Sequence, residues 1–144
     1  MTNPMLLSRV YLLITGFTKH SDVTDQLGVQ PSSYWNAGDE YKISNKVAHR
    51  KHGSWTIGRD SLSDVPEDDQ LHLLIERLGP FASARSQTPK EWKKKLVIVH
   101  QTESPNADIL LPLESVAFAA RIGAAFWLDI YSLPEEIDCK DGIQ

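Results

Sequence analysis

The sequence predicts an α+β protein, with a mostly antiparallel sheet and helices on one face. Three stretches carry that expectation. Leu113 to Tyr131 passes from a helical to a strand period across a single glycine. Glu67 to Leu78 repeats Leu71, Leu74, Ile75 and Leu78 at helical spacing behind an acidic first turn. Lys95 to Thr102 has a continuous apolar centre, Leu96 to Val99, of the kind a well-buried strand shows. From Gly53 onward the elements read strand, helix, strand, strand, helix, strand. This is the split βαβ or ferredoxin-like order, here preceded by a strand and a short helix.

Ser8 to Thr15 is the first strand. Val10, Leu12 and Ile14 face one way; Arg9, Tyr11 and Leu13 face the other. Ser21 or Asp22 is placed to cap a short helix through Leu27, which Gly28 ends. Ser32 to His52 is the least regular part. It reads as a long loop with a turn at Gly38-Asp39, a basic cluster from His49 to His52, and room for a strand near Tyr41 to Ile43. Gly53 to Arg59 is a strand with Trp55 and Ile57 on one face. Pro66 suits the first turn of the helix that follows, and Arg77, Gly79 and Pro80 stop it. Thr88 to Glu91 has the pattern of a capping box, so a short helix carrying Trp92 is expected. Glu103 to Asn106 reads as a turn and Ala107 to Leu111 as a short strand.

In the last helix Leu113, Val116, Ala117 and Ala120 form one apolar face, with Phe118 and Ile122 nearly opposite. A helix apolar on two sides is expected to be covered on two sides. In the strand after Gly123, Phe126, Leu128 and Ile130 alternate with Trp127, Asp129 and Tyr131. The aliphatic set is expected to meet the helices.

With 144 residues, 41% hydrophobic and 24% charged, the chain is expected to be a single domain, 1–144. Its ordered core spans about 8–131, and an acidic tail covers 132–144. The net charge of −4 gives no global attraction for nucleic acid or anionic lipid. One cysteine, Cys139, excludes an intramolecular disulfide framework and fits a reducing cytosol. The apolar run near the N-terminus is broken by Arg9 and reads as a strand, not a signal peptide. No stretch is long and uncharged enough to span a bilayer.

Several short motifs in order resemble one family. They are Leu27-Gly28-Val29-Gln30-Pro31-Ser32, Gly38-Asp39, Gly53-Ser54-Trp55 and the helix Leu71 to Leu78. Ala119 to Ala124 and the strand Leu128 to Tyr131 close the pattern, which covers most of residues 8 to 131. Together they resemble the bacterial family catalogued as domain of unknown function 4279. That resemblance brings no established activity, so it implies no catalytic residue. The run His49 to His52 is not part of the pattern that carries it.

No GxSxG, Walker A or GxGxxG motif is present. His49 and His52 are spaced H-x-x-H, yet His20, His72 and His100 are scattered and no HExxH exists, so no metal and no cofactor are expected. Cys139 sits among acids, which raise a thiol pKa and disfavour a nucleophile. Lys90, Lys93, Lys94 and Lys95 around Trp92 read as a solvated helix end before a nucleic-acid site. The first functional expectation is therefore a non-enzymatic cytosolic binding or interaction protein. Its partner is another protein, by analogy a toxin whose immunity partner it is, or its own copy. The alternative is a small-ligand binder or small enzyme using a groove between the sheet and loop 32–52, with His49 and His52 among its groups. The candidate ligand or partner surface comprises Trp35, Asp39, Trp55, Trp127, Asp129 and Tyr131. Arg9 and Tyr11 are expected on the same sheet face as the last three. Asp129 would then pair with Arg9, and Trp35 or Tyr41 would serve as a lid.

Overall fold

The computed structural model describes residues 7–58, 60–79, 81, 88–103 and 108–132. The elements in chain order are β1 (Ser8–Thr15), α1 (His20–Leu27), β2 (Ser33–Trp35), β3 (Glu40–Ile43), β4 (Lys46–His49) and β5 (Ser54–Gly58). They continue with α2 (Glu67–Arg77), β6 (Lys93–Thr102), α3 (Leu113–Ile122) and β7 (Ala125–Ser132). The expected acidic tail beyond residue 132, with Cys139, lies outside the described residues, as does most of the turn expected at 103–106.

The main sheet has five strands in the order β2-β5-β1-β6-β7, and β3 and β4 form a separate hairpin. β1 is antiparallel to β5 and β6, and β2 is antiparallel to β5. β6 and β7 are parallel, joined by a crossover through α3. The fold is thus α+β with a mostly antiparallel sheet. The ferredoxin-like order expected from Gly53 is not what the described residues form. Residues 108–112 carry no strand and lead into α3, and the place beside β6 is taken by β7.

Alternation along the strands divides the sheet into two faces. Val10, Leu12 and Ile14 of β1 join Trp55, Ile57, Leu96 and Ile98 in one core. Val23 and Leu27 of α1, Leu71 and Leu74 of α2, and Phe118, Ala119 and Ile122 of α3 close over them. All three described helices therefore lie on that face. The register puts Arg9, Tyr11, Leu13, Val97, Val99, Trp127, Asp129 and Tyr131 on the opposite face, away from the helices.

Several local expectations change. α1 begins at His20, one residue before the expected cap. Neither Ser21 nor Asp22 caps it; Asn36 Oδ1 accepts the His20 N–H instead, at 2.8 Å. A distant loop thus meets one of the unsatisfied donors of the first turn. Thr88 to Glu91 forms a turn closed by Trp92 N–H to Pro89 O, and β6 starts immediately after. Trp92 still packs inward, edge-on to Phe17. α3, expected to be covered on two sides, is covered on one: Ser115, Phe118, Ala119 and Ile122 are buried, while Leu113, Val116, Ala117 and Ala120 are exposed. Gly123, at φ 70°, ends the helix as expected.

One buried amide ties α2 to the sheet. β5 pairs with β1 only as far as Tyr11↔Gly58. Beyond that point Gln70 takes the place of a strand, its Oε1 accepting the Val10 N–H at 3.0 Å. Its Nε2 donates to Val65 O at 2.8 Å and to Ser8 Oγ at 3.0 Å. At the surface His72 bridges Glu76 on its own helix and Glu114 on α3. The hydrogen bond to Glu114, with the negative charge of both carboxylates, raises its pKa.

Candidate functional site

The stretch expected as a long loop, 32–52, is built into three strands. β2 adds to the sheet edge through Ser33↔Thr56 and Trp35↔Ser54. The chain then turns at Gly38, whose φ of 89° suits glycine. It runs through the hairpin, where Tyr41 pairs with Ala48 and Glu40 with His49. Backbone bonds clamp the hairpin base, from Gly38 N–H to Arg50 O and from Arg50 N–H to Asp39 O. Asp39 Oδ2 accepts the Asn36 N–H at 2.7 Å, so this carboxylate shapes the turn. Trp35 Nε1–H donates to His52 O at 3.1 Å and holds the returning strand against β2.

Between the hairpin and the helix-free face of the sheet lies a groove of about 720 Å³. Arg9, Tyr11 and Leu13 form its floor on β1, with Ser54 and Thr56 on β5. Trp35, Tyr41 and the segment His49 to His52 form its wall. Arg50 is the centre of that wall. Its guanidinium lies over the Trp35 ring at 4.0 Å and over the Tyr41 ring at 3.9 Å. The guanidinium carbon thus lies within cation–π distance of two rings that come from different strands. Arg9 stacks similarly on Tyr11, at 4.2 Å. Burial raises the Tyr11 pKa; Arg9 opposes this, while Asp129 and Tyr131 add to it.

The sequence-derived candidates separate into three groups. Trp35, His49 and His52 line the groove, and Asp39 supports it from the turn. Trp127, Asp129 and Tyr131 share the same sheet face as Arg9 and Tyr11, as expected, but stand outside the groove toward β7. Trp35 and Tyr41 therefore wall the groove; neither is a lid over β7. Trp55 lies on the helix side, fully buried, with its Nε1–H donating to Thr24 Oγ1 at 3.1 Å. It belongs to the core because alternation sends it opposite to Ser54 and Thr56. Arg50 and Lys51 are charged groove residues that were not among the candidates, whereas Tyr41 was expected as a lid. Only the basic run itself pointed to these two.

β7 forms the free edge of the sheet among the described residues. Trp127 is 46% exposed and Tyr131 52%, and Lys95 lies 5.0 Å from the Trp127 ring centre. Leu128 and Ile130, expected under the helices, are also exposed; of this set only Phe126 packs against the core. Lys93 and Lys95 lie on the open face, whereas Lys94 turns to the helix side and meets Thr88. Burial lowers the Lys94 pKa. The lysines near Trp92 thus form no single patch. Among the described residues no three His, Cys, Asp or Glu side chains are grouped to hold a metal ion. No described helix is long and apolar enough to cross a membrane.

These features define an α+β protein with one helix-covered sheet face and one open face walled by a hairpin. A family model described as Domain of unknown function (DUF4279) matches residues 6–133, and the chain belongs to that family. The comparison with curated proteins and the comparison with solved structures each return no match.

Proposed function

We propose that this is a binding protein whose site is the groove between the open sheet face and the β3–β4 hairpin. The observation that carries this reading is the Arg50 guanidinium at the groove wall, 4.0 Å from the Trp35 ring centre and 3.9 Å from that of Tyr41. A long cationic side chain on a surface normally keeps its rotamer freedom, which costs up to about 2 kcal/mol to remove. Here two rings from different strands hold it in place before any ligand arrives. Pockets of roughly 300–1,000 Å³ suit small molecules, and this groove falls within that range. The test is a screen of small compounds against the labelled protein by NMR. Binders should move the Trp35 indole N–H and the Thr56 and Arg50 amide signals together. Hits that cluster elsewhere, or leave these signals still, would overturn the reading.

A second reading is favoured by β7, an eight-residue edge strand with large apolar side chains exposed on both faces. Free edges with such residues pair with other chains unless protected. The partner on this reading is another protein, a toxin or a second copy among them. For self-association, Trp127→Ser should reduce the molar mass in solution while unfolding stays cooperative. A wild-type protein that stays monomeric at high concentration would remove the second-copy version.

A further inference from the structure

We infer that the groove takes a small anionic ligand, held through its phosphate or carboxylate group by Arg50 and Lys51; this rests on the groove reading above. The chain as a whole carries a net charge of −4, so cations gathered at one place are not a consequence of composition. Arg9, Arg50 and Lys51 all line the groove, and no described carboxylate does. The acids nearest the hairpin are engaged: Asp39 with the Asn36 N–H, and Glu40 with His49 at 3.6 Å. Among the described residues no carboxylate lies within ion-pair distance of Arg50 or Lys51. Toward β7 the field weakens, because Asp129 shares that side with Arg9 and Tyr11. The charged end of a ligand therefore belongs at the hairpin end of the groove.

The geometry of Arg50 specifies the chemistry further. Contact with the Trp35 and Tyr41 rings limits the orientations that its planar group can take. A planar fork of N–H groups matches the two oxygens of a carboxylate or phosphate. Since the side chain already packs against two rings, it has less freedom to lose on binding. Tyr11 and Trp35 supply ring surface beside this point, so the rest of the ligand meets an aromatic lining.

A matched set of probes separates the alternatives. Benzoate, phenyl phosphate, benzamide and benzamidine share one ring and differ in charge. NMR titration of the full chain should show benzoate and phenyl phosphate moving the Trp35 indole N–H, with affinity falling as salt rises. Arg50→Gln should weaken both by about tenfold or more. Because Arg50 also packs the hairpin, Lys51→Gln serves as the second variant; its side chain is exposed, and a several-fold loss is expected. The better of the two anions tells a phosphate ligand from a carboxylate one. If benzamide or benzamidine binds the groove as well as the anions do, the ligand class is wrong and the groove stands. If no probe moves a groove signal, both proposals fall. A ten-nucleotide oligothymidylate that binds far tighter than phenyl phosphate and also moves Trp127 would overturn the small-ligand class in favour of nucleic acid.

Discussion

Trp55→Ala is expected to lower stability by about 3–5 kcal/mol, the usual range for removing a fully buried tryptophan. The side chain has no exposed surface and sits among β1, β5 and α1 in the core. Its loss leaves a cavity that a five-stranded sheet cannot easily close, because β5 is paired on both sides. It also leaves the Thr24 hydroxyl without the indole donor that now reaches it. Urea melts would show the effect as a large fall in the midpoint. An unchanged midpoint would mean that Trp55 is not the core residue described above.

Gln70→Leu is nearly isosteric and should still cost several kcal/mol. Four backbone or hydroxyl groups meet the amide: Val10 N–H, Ser8 O, Ser8 Oγ and Val65 O. Each buried group left without a partner costs about 1–3 kcal/mol. Val10 N–H has the most to lose, since β5 has ended and no neighbouring strand replaces the glutamine there. Hydrogen exchange at that amide should accelerate along with the fall in stability. A change within about 0.5 kcal/mol would mean that water reaches the site and takes over the bonds.

The parts of this fold that follow from periodicity were legible in the sequence. β1 and β6, the α2 stripe and the exchange of helix for strand at Gly123 all depend on residues near one another in the chain. Periodicity alone could not choose between two apolar sides of α3. Small alanines and Phe118 both satisfy a helical pattern, and the buried side is decided by how close the sheet lies. The hairpin was hidden for a similar reason. Its exposed residues, Ile43, Lys46 and Val47 among them, give no buried alternation to read. The groove was legible as a space between the sheet and residues 32–52, with Trp35, His49 and His52 beside it, but not in its shape or in its hairpin wall. The contact of Arg50 with two rings depends on Trp35 and Tyr41 arriving from different strands. Gln70 gave no sequence signal at all, because its role is set by where β5 stops.

The central position of β1 has a kinetic consequence. One of its two neighbours is β6, and the contact at the start of β1 joins residues 94 positions apart, Leu7 and Gln101. β1 is synthesised well before β6 and therefore waits for residues 93–102 before its second edge is covered. During that interval Val10, Leu12 and Ile14 can meet β5, α1 and α2 but not Leu96 and Ile98. Chains dominated by such distant pairings fold slowly, because loop closure must precede the contacts that reward it. The exposed edge of a waiting β1 is the place where this chain, during synthesis, is most open to association with another.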